Sequence, residues 1–277
     1  MSDGNVTIEV CCFNLESALI AAAAGAHRIE LCHERHLDGH TPHRDATMRV
    51  IAAYDEKLSS KELPAVPLIH VMVRPRPSMA MEQGGAAVFV LTDEEKAQCY
   101  ADIAWLGALR CNGRHAVHGV VIGALRYLSH DENQLEIDWD FVTKAVGAAR
   151  SAGIEDVTFH RCFDFVGDWN APKTIAESLD ALSSVGISRV LTSGTVEAAP
   201  LQKRMDRLIT SARMSVAASS SNLCIMPAGG INRTAVLAFL EAQKGGQRLI
   251  TEFHGSFLSS MHHDVPDVGA IVEAISL

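Results

Sequence analysis

Ala24-Gly25-Ala26-His27-Arg28-Ile29-Glu30-Leu31 is matched twice further along the chain, by Ala152-Gly153-Ile154-Glu155-Asp156-Val157-Thr158-Phe159 and by Val185-Gly186-Ile187-Ser188-Arg189-Val190-Leu191-Thr192. Each copy reads as a helix closing at a glycine, then a short loop, then a buried strand. Glycine enters the left-handed conformation that ends a helix without steric cost. A repeated unit of this kind implies parallel strands joined by crossover helices.

Working outward, strands are expected near residues 6–11, 28–32, 67–74, 117–122, 156–160, 189–192, 223–226 and 248–254. Helices between them have expected starts at Asn14, at Thr41-Pro42, at the Thr92/Glu95 capping box, and at Asp138, Asn170 and Asn232. With a last helix near 267–276, this gives an α/β fold, a (β/α)8 TIM barrel in a single domain spanning 1–277. A doubly wound sheet is the alternative, but no G-x-G-x-x-G follows the first strand. Residues 77–88, with Gly84-Gly85, read as an inserted loop over the C-terminal face, and residues 211–222 as a fraying stretch.

Hydrophobic residues make up 48% and charged residues 21% of the 277, the balance of a globular chain. A formal charge of −9 without a basic patch argues against nucleic acid or an anionic membrane as partner. The longest apolar run, around 18–26, is too short to span a bilayer, and Met1-Ser2-Asp3-Gly4 does not open a signal peptide. Seven cysteines with no C-x-x-C pair suit reduced thiols, so a cytoplasmic location is expected.

Side-chain alternation places the candidate chemistry. In Glu9-Val10-Cys11 and Glu30-Leu31-Cys32 the Glu and Cys share one face, opposite an apolar one; Glu252-Phe253-His254 repeats the pattern. His70, Met72 and Arg74 take the same inward parity on the third strand, as do Thr158 and His160 on the fifth. Barrel sites lie at the C-terminal strand ends, where Arg76, Asp164, Thr192, Ser193 and the Gly229-Gly230 pair also fall. Arg74 and Arg76 suit either neutralising the Glu residues or clamping an anion, and Gly229-Gly230 before a helix suits a phosphate or carboxylate. Cys12, Cys99, Cys111 and Cys224 read as small core residues, and His33, His36, His40 and His43 as a solvated loop.

Ile8-Glu9-Val10-Cys11, Arg28-Ile29-Glu30-Leu31-Cys32, Thr41-Pro42, Arg74-Pro75-Arg76, Thr158-Phe159-His160-Arg161, Phe163-Asp164, Leu191-Thr192-Ser193-Gly194, Ile225-Met226-Pro227 and Thr251-Glu252-Phe253-His254 resemble, in order, the motifs of the CutC copper-homeostasis family. The resemblance implies a cytoplasmic, commonly oligomeric TIM barrel (a dimer or tetramer) associated with Cu(I). It implies Cys11 and Cys32 as metal thiols, with Glu9, Glu30, Arg74, His160, Asp164, Glu252 and His254 forming a polar pocket. The chain departs from the family pattern at Asp38-Gly39-His40-Thr41-Pro42-His43, which adds two imidazoles near the mouth, and at Ala228 and Cys162. Gly84-Gly85-Ala86-Ala87-Val88-Phe89 also stands late and altered against the family's Gly-Gly-Asp-Phe.

Two functions follow from these residues. One is Cu(I) binding for copper homeostasis, since soft thiolates prefer that ion. The other is acid/base catalysis on a small phosphorylated or carboxylated molecule, with the Glu residues, His160, Asp164 and His254 as catalysts. In that reading Arg76, Thr192, Ser193, Gly229 and Gly230 would hold the anion.

Overall fold

The repeated glycines act as helix terminators. Gly25, Gly153 and Gly186 have φ of 81°, 79° and 98°. One residue later, the amides of Ala26, Ile154 and Ile187 donate to Ala21, Ala149 and Leu182 across 2.9–3.0 Å, which closes each helix and releases a strand. The computed structural model describes residues 6–37, 39–76, 85–128, 131–196, 198–218, 223–258 and 265–277.

The barrel strands are β1 (Thr7–Cys12), β2 (Arg28–Leu31), β3 (Leu68–Met72), β4 (Gly119–Ile122), β5 (Asp156–Phe159), β6 (Arg189–Thr192), β7 (Cys224–Pro227) and β8 (Glu252–Gly255). They form one parallel sheet in the order β7-β6-β5-β4-β3-β2-β1-β8, and β7 and β8 lie against each other to complete the circuit. The helices are α1 (Leu15–Ala23), α2 (Arg44–Ser59), α3 (Asp93–Ala108), α4 (Trp139–Ser151), α5 (Pro172–Val185), α6 (Leu201–Ala218), α7 (Arg233–Ala242) and α8 (Val268–Ile275). This is the (β/α)8 TIM barrel that the repeated unit implies. Val10, Leu31, Val71, Val120, Phe159 and Phe253 point outward and join the buried layer beneath the helices.

Asn14, Thr92, Asp138 and Asn232 cap their helices as expected. Two other expected starts are corrected. α2 begins at Arg44 behind His43, and the Thr41 hydroxyl instead exchanges 2.9 Å bonds with the Arg74 backbone, accepting from its N–H and donating to its carbonyl. α5 begins at Pro172 behind Ala171, while Asn170 accepts a bond from Arg207. The stretch expected to fray from 211 is helical as far as Ala218, and 219–222 lie outside the described residues. Of the inserted loop, 77–84 also lie outside them, and Gly85–Phe89 is a 3-10 turn. An antiparallel hairpin, Leu125–Leu128 with Asp131–Ile137, follows β4 and has no counterpart in the expected elements.

The barrel interior holds a ring of charge rather than an apolar plug. Glu9 of β1 accepts from Arg28 Nε of β2, and Arg28 Nη2 lies 2.6 Å from Glu252 Oε2 of β8. Arg189 of β6 bridges Glu252 at 2.7 Å to Asp156 of β5 at 3.0 Å. His70 of β3 stands between Asp156 (3.6 Å) and Glu9 (3.8 Å), beyond hydrogen-bond distance of either. The two other strands supply room and a soft contact. A Cβ on Gly119 of β4 would stand 2.6 Å from the His70 ring, and Met226 Sδ of β7 lies 3.1 Å from Arg28 Nη2.

Replacing Arg28 with Met keeps most of the stem but leaves the Glu9 carboxylate buried without its guanidinium. We expect Arg28→Met to lower stability by about 3–5 kcal/mol in urea denaturation, the cost of breaking a buried pair from one side. An unchanged unfolding midpoint would show that the ring is dispensable.

Candidate functional site

Above this ring, at the C-terminal ends of the strands, opens a cavity of about 370 Å³. Its thiol corner is built by adjacent strands. Cys11 near the end of β1 and Cys32 just past β2 bring their sulfurs to 3.9 Å. Cys11 Sγ is also 3.5 Å from Glu30 Oε2. His254 of β8 places Nε2 at 3.6 Å from Glu30 Oε2 and Nδ1 at 2.7 Å from Glu9 Oε1. One donor atom each from Cys11, Glu30 and His254 lies within 4.8 Å of the other two. Met72 and Val121 pack beside the two thiols.

The charges of this corner follow from the ring below. Burial would raise the Glu9 pKa, but Arg28 and then His254 outweigh it and hold the group ionised well below the usual carboxylate range. Burial would depress His254, but Glu30, Cys11 and Glu9 together raise it well above an ordinary imidazole. A hydrogen bond from Cys32, working against burial and helped by His254, draws the Cys11 thiol down to about 6. Burial and then the bond to Cys11 push Cys32 well up. Burial, followed by the Cys11 charge, likewise raises Glu30. The corner therefore titrates as one coupled set, in which charge is favoured at Cys11 and His254 and disfavoured at Cys32 and Glu30.

The opposite wall is cationic and aromatic, with Arg74, Arg35, Arg161, His160 and Phe89 lining it. Arg74 donates Nη2–H to the Gly39 carbonyl. His160 Nδ1 accepts from the Cys162 amide at 3.1 Å, which assigns the ring proton to Nε2. Burial and then the Arg74 charge lower its pKa to about 3, so the ring is neutral. Its Nε2 and Glu30 Oε1 are buried with no hydrogen-bond partner among the described residues. Gly229 and Gly230 line the rim with φ of 76° and 70°, a loop shape that β-carbons would strain.

Several candidates from the sequence lie elsewhere. Glu252 opens β8 and sits down in the ionic ring, not on the cavity wall. Asp164 turns away and accepts from Thr192 Oγ1 (2.5 Å), Ser193 N (2.8 Å), Ser193 Oγ (2.7 Å) and Arg161 Nε (3.2 Å). Thr192 and Ser193 thus anchor the loop after β6, with Arg204 Nε bonded to the Ser193 carbonyl at 2.6 Å. Arg76 pairs with Glu95 at 3.0 Å, outside the cavity. Arg28 and Arg189 were not singled out from sequence, although they share strand parity with Glu30 and Leu191 and were readable by the same rule. Arg35, in the loop after β2, carries no such periodic signal.

A lowered Cys11 pKa predicts a pH profile. The thiolate is the reactive form, so alkylation of Cys11 by iodoacetamide, followed by mass spectrometry, is expected to rise with pH and level off just above about 6. In Cys32→Ala the donor is lost and the midpoint should move upward. A wild-type midpoint at the free-cysteine value of about 8.5 would show that Cys32 does not stabilise the thiolate.

The chain and its barrel have counterparts. The CutC family model matches residues 6–259. A human protein described as a copper homeostasis protein cutC homolog is 31% identical over 257 residues, 91% of this chain and 74% of its own. A CutC family protein of Pasteurella multocida (strain Pm70) is 34% identical over 251 residues, 89% of this chain and 80% of its own. The crystal structure of CutC from Streptococcus agalactiae has the same fold, with a TM-score of 0.66 at 20% identity over 91% of this chain and 98% of that one. A family match running from β1 past β8, on a barrel shared with a solved member, establishes that this chain belongs to the CutC family.

Proposed function

We propose that this chain serves copper homeostasis from the cytoplasm by binding Cu(I) through Cys11 and Cys32. The observation that carries this reading is the 3.9 Å separation of the two sulfurs at the cavity floor. Taking a metal–thiolate bond of about 2.3 Å, as for zinc, an ion bridging both would subtend roughly 115° between them, an ordinary coordination angle. Cys11 already carries thiolate character; Met72 is placed to add a soft thioether, and His254 an imidazole once its Nε2 proton has left. Burial and the Cys11 charge raise the Glu30 pKa, which weakens this carboxyl as a competing hard anionic ligand. The human and mouse relatives carry the copper-homeostasis name, which supports the same assignment. No helix among the described residues is long and apolar enough to cross a membrane.

One observation favours a second reading, catalysis on a small phosphorylated or carboxylated molecule. Glu30 Oε1 and the His160 Nε2–H are buried polar atoms without protein partners among the described residues, on a cavity also lined by three arginines. A bound anion could take the His160 proton as a hydrogen bond and face the Glu30 carboxyl, whose raised pKa suits a general acid.

Reduced protein titrated with Cu(I) against a competing chelator tests the first reading. Replacing both thiols, Cys11→Ser with Cys32→Ser, should weaken binding by more than about 100-fold, beyond what changes outside the ligand set cost. Equal competition by wild type and the double variant would remove these cysteines from copper binding. Thermal-shift screening against phosphorylated and carboxylated metabolites would then test the second, with His160→Ala and Arg74→Ala expected to abolish any stabilisation found.

A further inference from the structure

The loop that leaves the thiol corner carries a second set of metal donors of a different chemistry. His33 follows Cys32 directly and forms an antiparallel bridge with His40. The two residues exchange backbone bonds, His33 N to His40 O at 2.9 Å and His40 N to His33 O at 3.1 Å. Residues facing each other across such a rung carry neighbouring side chains. The two rings accordingly meet edge to face with centroids 5.0 Å apart.

Glu34 adopts a left-handed φ of 49°, which few non-glycine residues do, and its carboxylate meets both rings. Glu34 Oε2 lies 3.0 Å from His40 Nε2, and Oε1 lies 3.9 Å from His33 Nε2. One ligand atom from each of His33, Glu34 and His40 falls within 4.8 Å of the others. A further imidazole stands beside the cluster on a separate element, outside the three whose ligand atoms already converge. His43 occupies the N-cap position of α2 but makes no capping bond with its side chain. Its ring packs on His33 instead, centroid to centroid 4.4 Å. The loop read as solvated from sequence is in fact half-buried at His33, Glu34 and His40.

We propose that His33, Glu34 and His40, with His43 as a fourth ligand, form a second metal site, for a divalent zinc or copper ion, at the rim of the cavity. Imidazole and carboxylate donors suit borderline divalent ions, with Cu(II) the tighter of the two, whereas the thiol pair below suits Cu(I). The proposal stands whether or not the thiols bind copper. It also has a mechanical consequence, because the loop's other side packs on the thiol corner. A Cβ at Gly39 would stand 3.2 Å from Cys32 Cβ, and Arg74 bonds the Gly39 carbonyl. An ion joining His33 to His40 and His43 therefore fastens the loop that covers Cys32.

The full-length chain carrying Cys11→Ser and Cys32→Ser isolates this site from the thiols. Titrated calorimetrically with Zn(II), it should bind one ion, with affinity falling at least tenfold on adding His33→Ala or His40→Ala. His36→Ala, an exposed imidazole of the same loop outside the cluster, should change nothing. With Cu(II), electron paramagnetic resonance should show coupling to imidazole nitrogens that is reduced in His40→Ala. Should the alanine variants unfold by circular dichroism, His40→Gln and Glu34→Gln carry the same expectation. Zinc binding that is absent, or that is equal in the cluster variants and in His36→Ala, would overturn the proposal.

Discussion

A carboxylate sealed inside a barrel is the constraint from which the rest of this molecule follows. Glu9 is fully buried, and an ionised group there is tolerable only with compensating charge in contact. Arg28 supplies it, but Arg28 is itself buried and needs more than one carboxylate, which draws in Glu252. Glu252 draws in Arg189, and Arg189 draws in Asp156. His70 fills the gap between Asp156 and Glu9, and its ring needs the bare backbone of Gly119 beside it. Glu9 and Arg28 pair across neighbouring strands, as do Asp156 and Arg189, but the link from Arg189 of β6 to Glu252 of β8 forms only when the barrel closes. Such a ring specifies register more than it adds stability, since well-packed apolar residues would stabilise a closed barrel as well or better.

The ring also sets the chemistry above it. Three carboxylates face two guanidiniums, and the lowered pKa of buried His70 keeps that ring neutral, so one negative charge remains uncompensated. His254, 2.7 Å from Glu9, is the cation that balances it. An imidazolium held there favours the thiolate of Cys11, and the thiolate in turn favours a neutral Glu30. Glu9, His254, Cys11 and Glu30 therefore titrate as one coupled set, with His254 linking the ring to the cavity floor. A soft metal and a small anion would both find a prepared surface, on opposite walls of the same cavity.

Much of this was legible in the sequence. The glycine-terminated helices fixed the parallel topology because left-handed φ is a local property that the residue type announces. Strand alternation correctly sent Glu9, Cys11, Glu30, His70, Met72 and His254 inward, because parity is also local. Height along the barrel is not. Glu252 and His254 share a face, yet one lies in the ionic ring and the other at the cavity, and only the register Thr7 to Glu252 and Glu9 to His254 separates them. Nor does parity name partners. Asp164 looked like a companion for His160, but three donors from Thr192 and Ser193 hold it beside the wall. Thr41 looked like a helix start, but the Arg74 backbone claimed its hydroxyl.

The histidines after β2 show the same limit from the other side. Spread over eleven residues with no helical or strand period, His33, His36, His40 and His43 carry the signature of a loop, and loops are usually solvated. What gathers three of them is a single backbone rung between His33 and His40, with α2 starting two residues later than its Thr41-Pro42 signal suggests. The shift frees the His43 side chain from capping and leaves it against His33. The same loop is held from beneath by Gly39 on Cys32 and by Arg74, itself one of the cationic walls of the cavity. Soft thiols inside and borderline imidazoles outside are therefore two faces of one short segment. The two faces meet at Gly39, where an added β-carbon would stand 3.2 Å from Cys32 Cβ and 3.5 Å from its sulfur.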